Sequence, residues 1–473
     1  MSLNFVRLLI SKVSSKRSAL LIFSGLLGGW IQIAHADWKM GADIAPTADL
    51  MALWKVAELQ DTKYLSAYHK YRSDEEIINL SRADLLPSLS FQYEHKTTDQ
   101  VINETDNEVF NGGSSKYPTK SYNLTLTQSL FDYSRWQRYS QSKISANRSE
   151  VEYRLSKQQL LLRLSESYFL VLERGDQLET VAAEKKAMLK HYEASEKKHK
   201  IGLVRKVDLE DARARYLNAL SKEVELQSRL MDSRYALRES LGSMPGDLSK
   251  LRTDIKLEMP LPSDPDQWVG LAAKNNPELH ILNLSLKEAD IEIKAIRGGH
   301  FPTLDLIYTT GNTVTEGSVY GGGSDVDSSD LAIQLNVPLY SGGKISARLR
   351  QAIEKRNSLF ESRNDKQRNV ERSAHDAYHR ISEAIVTIDA LAQSVQAQES
   401  RLKAKSTGYR SGQNSLVEVL DVEQDLSDAR QNLIKARYDY LLNVLRLKYS
   451  AGALQEEDLA AINGWLMSDN SQS

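Results

Sequence analysis

The sequence has no cysteine, so no disulfide braces it, and no thiol follows the N-terminal leader to carry a lipid. Only 10 of its 473 residues are proline and 7% are aromatic, against 26% charged. That balance argues against a string of ordinary globular domains and suits long helices and coiled coils. A formal net charge of −2 gives no reason to expect nucleic acid as a partner. After residue 36 no run is apolar enough to cross a bilayer as a helix.

The first 36 residues stand apart. Arg7, Lys12, Lys16 and Arg17 precede an apolar run from Ala19 to Ile33, and Ala34-His35-Ala36 supplies small residues around a cleavage point. This is the order of a secretory signal peptide, with the mature chain expected to begin at Asp37. The alternative is an N-terminal anchor, for which the apolar run is shorter than the ~20 residues a spanning helix needs.

Beyond the leader the chain repeats itself. Leu86-Pro87-Ser88-Leu89-Ser90-Phe91 corresponds to Phe301-Pro302-Thr303-Leu304-Asp305-Leu306, and the same spacing aligns Ala57 with Ala272 and Arg82 with Arg297. Further on the spacing is five residues shorter and aligns Tyr168 with Tyr378, Gly202 with Gly412, Val207 with Val417, Asp211 with Asp421, Leu237 with Leu447 and Gly242 with Gly452. The change falls in polar loops, where length is easily altered. Each half reads as helix, strand, Gly-rich loop, strand, very long helix, Gly break and returning helix. The expected divisions are a first repeat over 37–242, with strands at about 87–96 and 121–130 and a helical hairpin over 132–242; a linker over 243–270; a second repeat over 271–452, with strands at about 302–310 and 330–339 and a hairpin over 343–452; and a C-terminal segment over 453–473.

The strands alternate. Leu89, Phe91 and Tyr93, then Tyr122, Leu124 and Leu126, Leu304, Leu306 and Tyr308, and Leu331, Ile333, Leu335, Val337 and Leu339 lie between polar neighbours that are mostly small and uncharged. An oily face opposite a polar one fits lipid outside and a lumen inside, and in a bilayer only a closed barrel satisfies strand backbones. Four strands cannot close one, since about eight is the minimum. Two copies give eight strands and three give twelve. The soluble alternative is a sandwich edge packed on helices.

The helices follow steps of three and four. In the first long helix Leu164, Tyr168, Val171, Leu178, Ala182, Leu189 and Tyr192 make one narrow apolar stripe, with Gly175 and Lys185 as misfits, as in a helix that buries a seam. About 70 residues at ~1.5 Å each make roughly 105 Å. Gly202 and Gly412 read as the hairpin stops.

At this point the chain resembles the TolC-type outer-membrane efflux family. The strongest stretches are "IGLVRKVDLEDARARY" from Ile201 and "GYRSGQNSLVEVLDVEQDL" from Gly408, with "LLPSLSFQY", "FPTLDLIY" and "NNPEL" in support. The resemblance implies an α+β membrane protein: a homotrimer with a twelve-stranded outer-membrane barrel, a helical tunnel across the periplasm and an equatorial region built from residues 245–268 and 453–466. It implies a passive exit duct of a tripartite efflux pump or type I secretion system, with partners in a periplasmic adaptor, an inner-membrane pump or ABC-type transporter, and outer-membrane lipid, and with no cofactor.

The resemblance also assigns sites. The tips Gly202, Leu203, Val204, Gly412, Gln413 and Asn414 would meet the adaptor. Glu418 and Asp421, three apart on one side of a helix, would ring the periplasmic entrance with six carboxylates in a trimer; the plain alternative is a solvated face. Family gates are closed by polar links among a tyrosine, an arginine and an aspartate. Tyr409 and Asp208 occupy two of those places, and Asn414 stands where the arginine is expected. An amide cannot form a guanidinium's charged fork, so the latch is expected to be weaker, or to be compensated by Arg410 or Arg205.

Other constellations are thin. His375 and His379 at i and i+4 suit zinc, but the metalloprotease helix places Glu after the first His and here it is Asp376. Asp325, Asp327 and Asp330 suit calcium, or else an exposed polar loop. No nucleophile triad or phosphate-binding loop is present, so no catalytic or metal site is expected. A periplasmic coiled-coil adaptor or scaffold without a pore is the competing architecture.

Overall fold

The computed structural model describes residues 47–467 except 105, 107–112, 253–254 and 319–320. The expected signal peptide lies outside the described residues. The element order is β1 (Thr47–Ala48), α1 (Leu50–Gln60), α2 (Thr62–Ala83), β2 (Ser88–Ile102), β3 (Gly113–Phe131), α3 (Tyr133–Lys200), α4 (Lys206–Leu241), β4 (Asp247–Leu248), α5 (Pro265–Asn275), α6 (Pro277–Gly298), β5 (Thr303–Thr315), β6 (Ser324–Asn336), α7 (Lys344–Arg410), α8 (Leu416–Ser450) and α9 (Glu456–Asn463).

The repeat explains the helix breaks. Asp61 ends α1 and caps α2, accepting the Tyr64 N–H at 2.8 Å. In the second repeat Asn276 ends α5 and caps α6, accepting the Glu278 N–H at 2.9 Å, with Pro277 at the first helical position. Both caps are buried, and each has a further tie: Arg163 donates to Asp61 at 2.6 Å, and the Asn276 amide donates to the Ser450 carbonyl at 2.9 Å. A buried cap satisfied on all sides holds the two short helices of each repeat in fixed orientation.

The main core gathers Leu50, Leu53 and Trp54 of α1, Leu160, Leu164, Tyr168 and Phe169 of α3, Leu237 and Leu241 of α4, Tyr438, Leu441 and Leu445 of α8, and Leu459 and Ile462 of α9. The linker and C-terminal segment close over it. Leu251 bridges Leu466, and the Met467 N–H donates to the Lys250 carbonyl at 2.8 Å. The repeat-equivalent tyrosines pin the linker: Tyr168 donates to the Ser249 carbonyl at 2.9 Å and Tyr378 to the Ser263 carbonyl at 2.6 Å.

The seam of α3 differs from the sequence stripe. Leu164, Tyr168 and Val171 are buried, but farther along the buried positions are Gln177, Val181, Met188 and Ser195, while Leu178, Ala182, Leu189 and Tyr192 are only half-buried. The last three of these buried positions recur every seven residues, the spacing of a coiled-coil seam, and a straight 3.6-residue reading drifts off it. Lys185, the misfit, is tied by its ammonium to Glu223 of α4 at 2.7 and 2.8 Å.

The four long strands form one antiparallel sheet in the order β2-β3-β5-β6. One row across it is Leu89, Leu126, Tyr308 and Leu331; the next, on the opposite face, is Ser90, Thr125, Thr309 and Asp330. Among the described residues no helix lies along either face; β6 is exposed throughout, β5 half-buried throughout, and the outer edges of β2 and β6 are unpaired. A soluble sandwich edge would bury one face, so that alternative is excluded. Three strands run past the segments expected from alternation, to Ile102, from Gly113 and to Thr315, because ladder pairing continues where the oily–polar alternation has lapsed. β6 begins earlier for the same reason but stops at Asn336, short of Leu339.

Candidate functional site at the hairpin tips

Helices α3 and α4 form one hairpin and α7 and α8 the other. At the first tip Gly202 has φ +76°, its N–H donates to the His199 carbonyl at 2.9 Å, and the Leu203 N–H donates to the Lys198 carbonyl at 2.9 Å. At the second, Gly412 has φ +79° and the Gln413 N–H donates to the Gly408 carbonyl at 2.8 Å. Both glycines are needed for the left-handed turn that ends the helix, since nothing crowds the place of a Cβ. Gly408 is different: a Cβ there would lie 2.1 Å from Asn414 Oδ1.

The tips differ in chemistry. Ile201, Leu203 and Val207 are 71%, 72% and 73% exposed, a bare apolar cap on the first hairpin. Val204 beside them is half-buried. The second tip shows Ser411, Gly412 and Gln413 to solvent, with Asn414 half-buried.

Glu418 sits in the first turn of α8, where Ser415 and Glu418 form a reciprocal capping box. Its carboxylate also accepts from Asn414 Nδ2 at 2.9 Å and from the Lys405 ammonium of α7. Lys405, the Ser415 amide and the Asn414 side chain together hold its pKa down to about 2. Asp421, one turn on, accepts instead from Arg215 Nη2 of α4 at 2.7 Å; Arg215 also reaches Gln424 Oε1 at 3.3 Å and Asp211 at 3.5 Å. The two carboxylates thus lie on one helix side, but each has its own cation.

The three expected latch residues are not bonded to one another within the chain. Tyr409 accepts from Lys198 Nζ at 3.2 Å, with the same ammonium 5.0 Å from its ring centre, and packs on Met188, Ala212, Ala219, Leu416 and Leu420. Asp208 takes two bonds from Arg205, at 2.9 and 3.0 Å, and this guanidinium lowers its pKa. Arg205 caps α4 and Asp208 is three residues on, so the fork closes locally. Asn414 serves Glu418 by the same spacing logic. Among the described residues Arg410 donates to the Ser406 carbonyl, at 3.4 Å. Among the described residues the links that cross between hairpins near the tips include Lys198–Tyr409, Arg215–Asp421 and Arg215–Gln424. The sequence reading missed Lys198, Arg215 and Lys405; the i, i+4 spacing of Asp211 and Arg215, with Asp211 equivalent to Asp421, was the available signal for Arg215.

Above the tips the crossing stays polar. His191 Nε2 lies 3.3 Å from Glu423 Oε1, Ser427 donates to Glu184 at 2.5 Å and Lys222 donates to Asp428 at 2.9 Å. Burial pushes the Glu184 carboxyl up, against the Ser427 hydroxyl.

The remaining constellations do not converge. His375 and His379 face each other with Nε2 atoms 3.1 Å apart on exposed α7, and among the described residues no group of three or more metal-ligating side chains occurs. The three aspartates lie in strand β6, not a loop: Asp325 and Asp327 share the Asn312 amide at 2.5 and 3.0 Å, and Asp330 points to the other face.

Known proteins share this architecture. The outer membrane efflux protein family matches residues 56–243 and again 268–453, one match per repeat. The outer membrane protein TolC of Escherichia coli (strain K12) is 30% identical over 435 residues, covering 90% of this chain and 86% of its own length. The proteases secretion protein PrtF of Dickeya chrysanthemi is 28% identical over 432 residues, covering 90% and 92%. Among solved structures, the Campylobacter jejuni CmeC outer membrane channel superposes with TM-score 0.76 at 16% identity, covering 89% and 90%. The two-fold sequence match, the four-stranded sheet bare on both faces and the paired long hairpins agree: this chain belongs to the outer membrane efflux protein family, outer-membrane channels that form the exit duct of efflux or type I secretion systems, with a helical part in the periplasm.

Proposed function

We propose that three copies of the chain close a twelve-stranded barrel and a helical tunnel, and that the hairpin tips dock a periplasmic adaptor while an inner-membrane transporter supplies the work. The observation that carries this reading is the sheet with two bare faces and two open edges. Such edges invite pairing, and in a bilayer every strand backbone must be satisfied by its neighbours. Four strands per copy satisfy that only in an oligomer, and the relatives' architecture favours three.

The exposed apolar cap of Ile201, Leu203 and Val207 suits an adaptor surface that buries it, with Gly202, Val204, Gly412 and Gln413 shaping the rim. Glu418 and Asp421 line the entrance in this reading, and threefold repetition gives six carboxylates that draw cations to a constriction. The closed state is held by Lys198–Tyr409 and Arg215–Asp421 in each copy, with Asp208, Tyr409 and Asn414 as the surrounding latch. The duct itself is passive and catalyses nothing. Its relatives carry names for protease secretion and for efflux, so the cargo follows the transporter engaged.

Reconstitution tests this directly. Purified mature protein should run as a trimer in detergent and conduct ions across a planar lipid film. A single dispersed copy that makes no conducting pore would overturn the proposal.

A further inference from the structure

The open edges carry more than stoichiometry, because the rows within one copy constrain how the next must pair. We infer that β6 of one copy pairs antiparallel with β2 of the next in the register that sets Leu335 opposite Phe91 and Asp330 opposite Lys96. This rests on the oligomeric barrel proposed above and adds the pairing itself.

Three constraints converge on this register. Directly opposed residues share a face, and the oily residues are odd-numbered on both edges: Leu89, Phe91 and Tyr93 on β2, and Leu331, Ile333 and Leu335 on β6. Only pairings of odd with odd keep lipid and lumen apart. A slip of one residue inverts every side chain, so the choice is among registers two residues apart.

The apolar belt selects among them. Following direct pairs from Phe91, the centre of the belt on β2, leads through Leu124 and Thr310 to Ser329. The centre of the belt on β6 is Ile333, four residues beyond. The belt therefore slides about 13 Å along the strands while crossing about 14 Å of sheet. That is the slant of strands tilted roughly 43°, within the range of outer-membrane barrels. One further step at the same slope moves one to two residues past Ile333, and the odd-numbered position there is Leu335. With Phe91 of the next copy at Leu335, a circuit of direct pairs started at Phe91 arrives at Thr97, and the closed barrel has a strand tilt of about 46°.

Charge agrees with the belt. In this register Lys96 of the next copy faces Asp330 on the lumen side, and directly opposed unlike charges stabilise a ladder. Slipping two residues one way puts Glu94 opposite Asp330, a like-charge pair. Slipping the other way loses the Lys96–Asp330 pair and steepens the tilt to about 54°, beyond the usual range. Asp99 falls opposite Asp327 in the inferred register, but Lys116 lies 3.9 Å from Asp99 and the Asn312 amide already engages Asp327.

The same register accounts for the short end of β6. Leu339 and Tyr340 are 92% and 88% exposed and Val337 is also exposed, although the sequence alternates through Leu339. In the assembled barrel Val337 gains Leu89 of the next copy as its partner, and the strand continues until Pro338, which has no N–H to offer.

The absence of native cysteine makes the test clean. Thr97→Cys combined with Ser329→Cys places the two sulfurs on directly opposed residues, within disulfide reach, whereas residues shifted by two lie about 7–8 Å apart. Non-reducing electrophoresis of outer membranes should show covalent trimers for this pair, lost on reduction, and not for Thr97→Cys with Asp327→Cys or with Leu331→Cys. Cross-linking of a shifted pair instead, or of none while conducting trimers persist, overturns the register and leaves the barrel standing. Loss of trimers and conductance in the unmodified protein removes both. A charge exchange gives a second reading without disulfides: Lys96→Asp should lower the temperature at which trimers dissociate, and Lys96→Asp with Asp330→Lys should restore it. A double variant no more stable than either single one contradicts the pairing.

Discussion

The Arg215 guanidinium joins the two hairpins, donating to Asp421 at 2.7 Å while lying 3.5 Å from Asp211, the residue at the equivalent place in the first repeat. Duplication has thus put two like carboxylates on facing helices, and one cation serves both. Arg215 is 21% exposed and Asp421 50%, so the pair is partly screened and contributes up to about 1 kcal/mol. Its position near the tips matters more than its strength. Arg215→Ala should leave the unfolding temperature within a few degrees of the parent and raise single-channel conductance as the hairpins part. Conductance unchanged in the variant would show that this crossing does not hold the entrance.

In the proposed entrance, Glu418 is the group whose titration would set the pH dependence. Lys405 and the Ser415 cap hold its pKa at about 2, below the ordinary carboxylate value. A folded pKa below the unfolded one means that the charge and its stabilising partners are fully present above about 4.5 and are lost only as pH falls through about 2. With Asp421→Asn to isolate this group, block of reconstituted current by a divalent cation should persist at pH 4. Adding Lys405→Met should move its loss up toward the ordinary carboxylate range. Block that already fades at pH 4.5 with Lys405 in place would assign it to another group.

The parts legible in the sequence were those written as period or as backbone necessity. Leu89, Phe91 and Tyr93 alternate with polar residues that lie on the opposite face of β2, and Gly202 and Gly412 stand where φ turns positive. The outer ends of β2 and β3 were not legible, because Thr97–Ile102 pairs with Gly113–Pro118 without an alternation of oily and polar residues, and the side-chain contacts there, such as Lys116–Asp99 at 3.9 Å, follow from the pairing and do not announce it. The lower seam of α3 was misread because Gln177 and Ser195 are buried by geometry, not by type. The site was legible as a place but not as a network: Asp208 and Asn414 are satisfied by neighbours three and four residues away, whereas the crossing contacts of Lys198 and Arg215 depend on how two distant helices meet.

Two glycines at the second tip should fail for different reasons. Gly412→Ala meets no atom but must hold φ near +79°, which costs about 1–2 kcal/mol and should appear as a lowered unfolding temperature. Gly408→Ala has helical backbone, and its new methyl would displace the Asn414 side chain. It should therefore lose the Asn414–Glu418 bond with little loss of stability. Its conductance should match that of Asn414→Ala, and the two changes combined should add nothing. Additive effects would mean that the methyl disturbs something other than Asn414.

Farther from the tips, Tyr438 of α8 donates to Asp176 of α3 at 2.7 Å, and burial pushes the Asp176 carboxyl above its usual range despite that bond. The ring sits in the core beside Phe169, 6.1 Å between ring centres, so the hydroxyl reaches the carboxylate from inside the packed junction of the two hairpins. Tyr438→Phe keeps the packing and leaves a half-buried carboxylate without this donor, a loss of roughly 1 kcal/mol. The thermal transition should fall clearly while single-channel conductance stays at the parent value, the opposite pattern to Arg215→Ala. That contrast separates a fixed upper pin from a movable lower gate. A Tyr438→Phe protein that is both destabilised and more conductive would show that the hairpins loosen as one unit along their whole length.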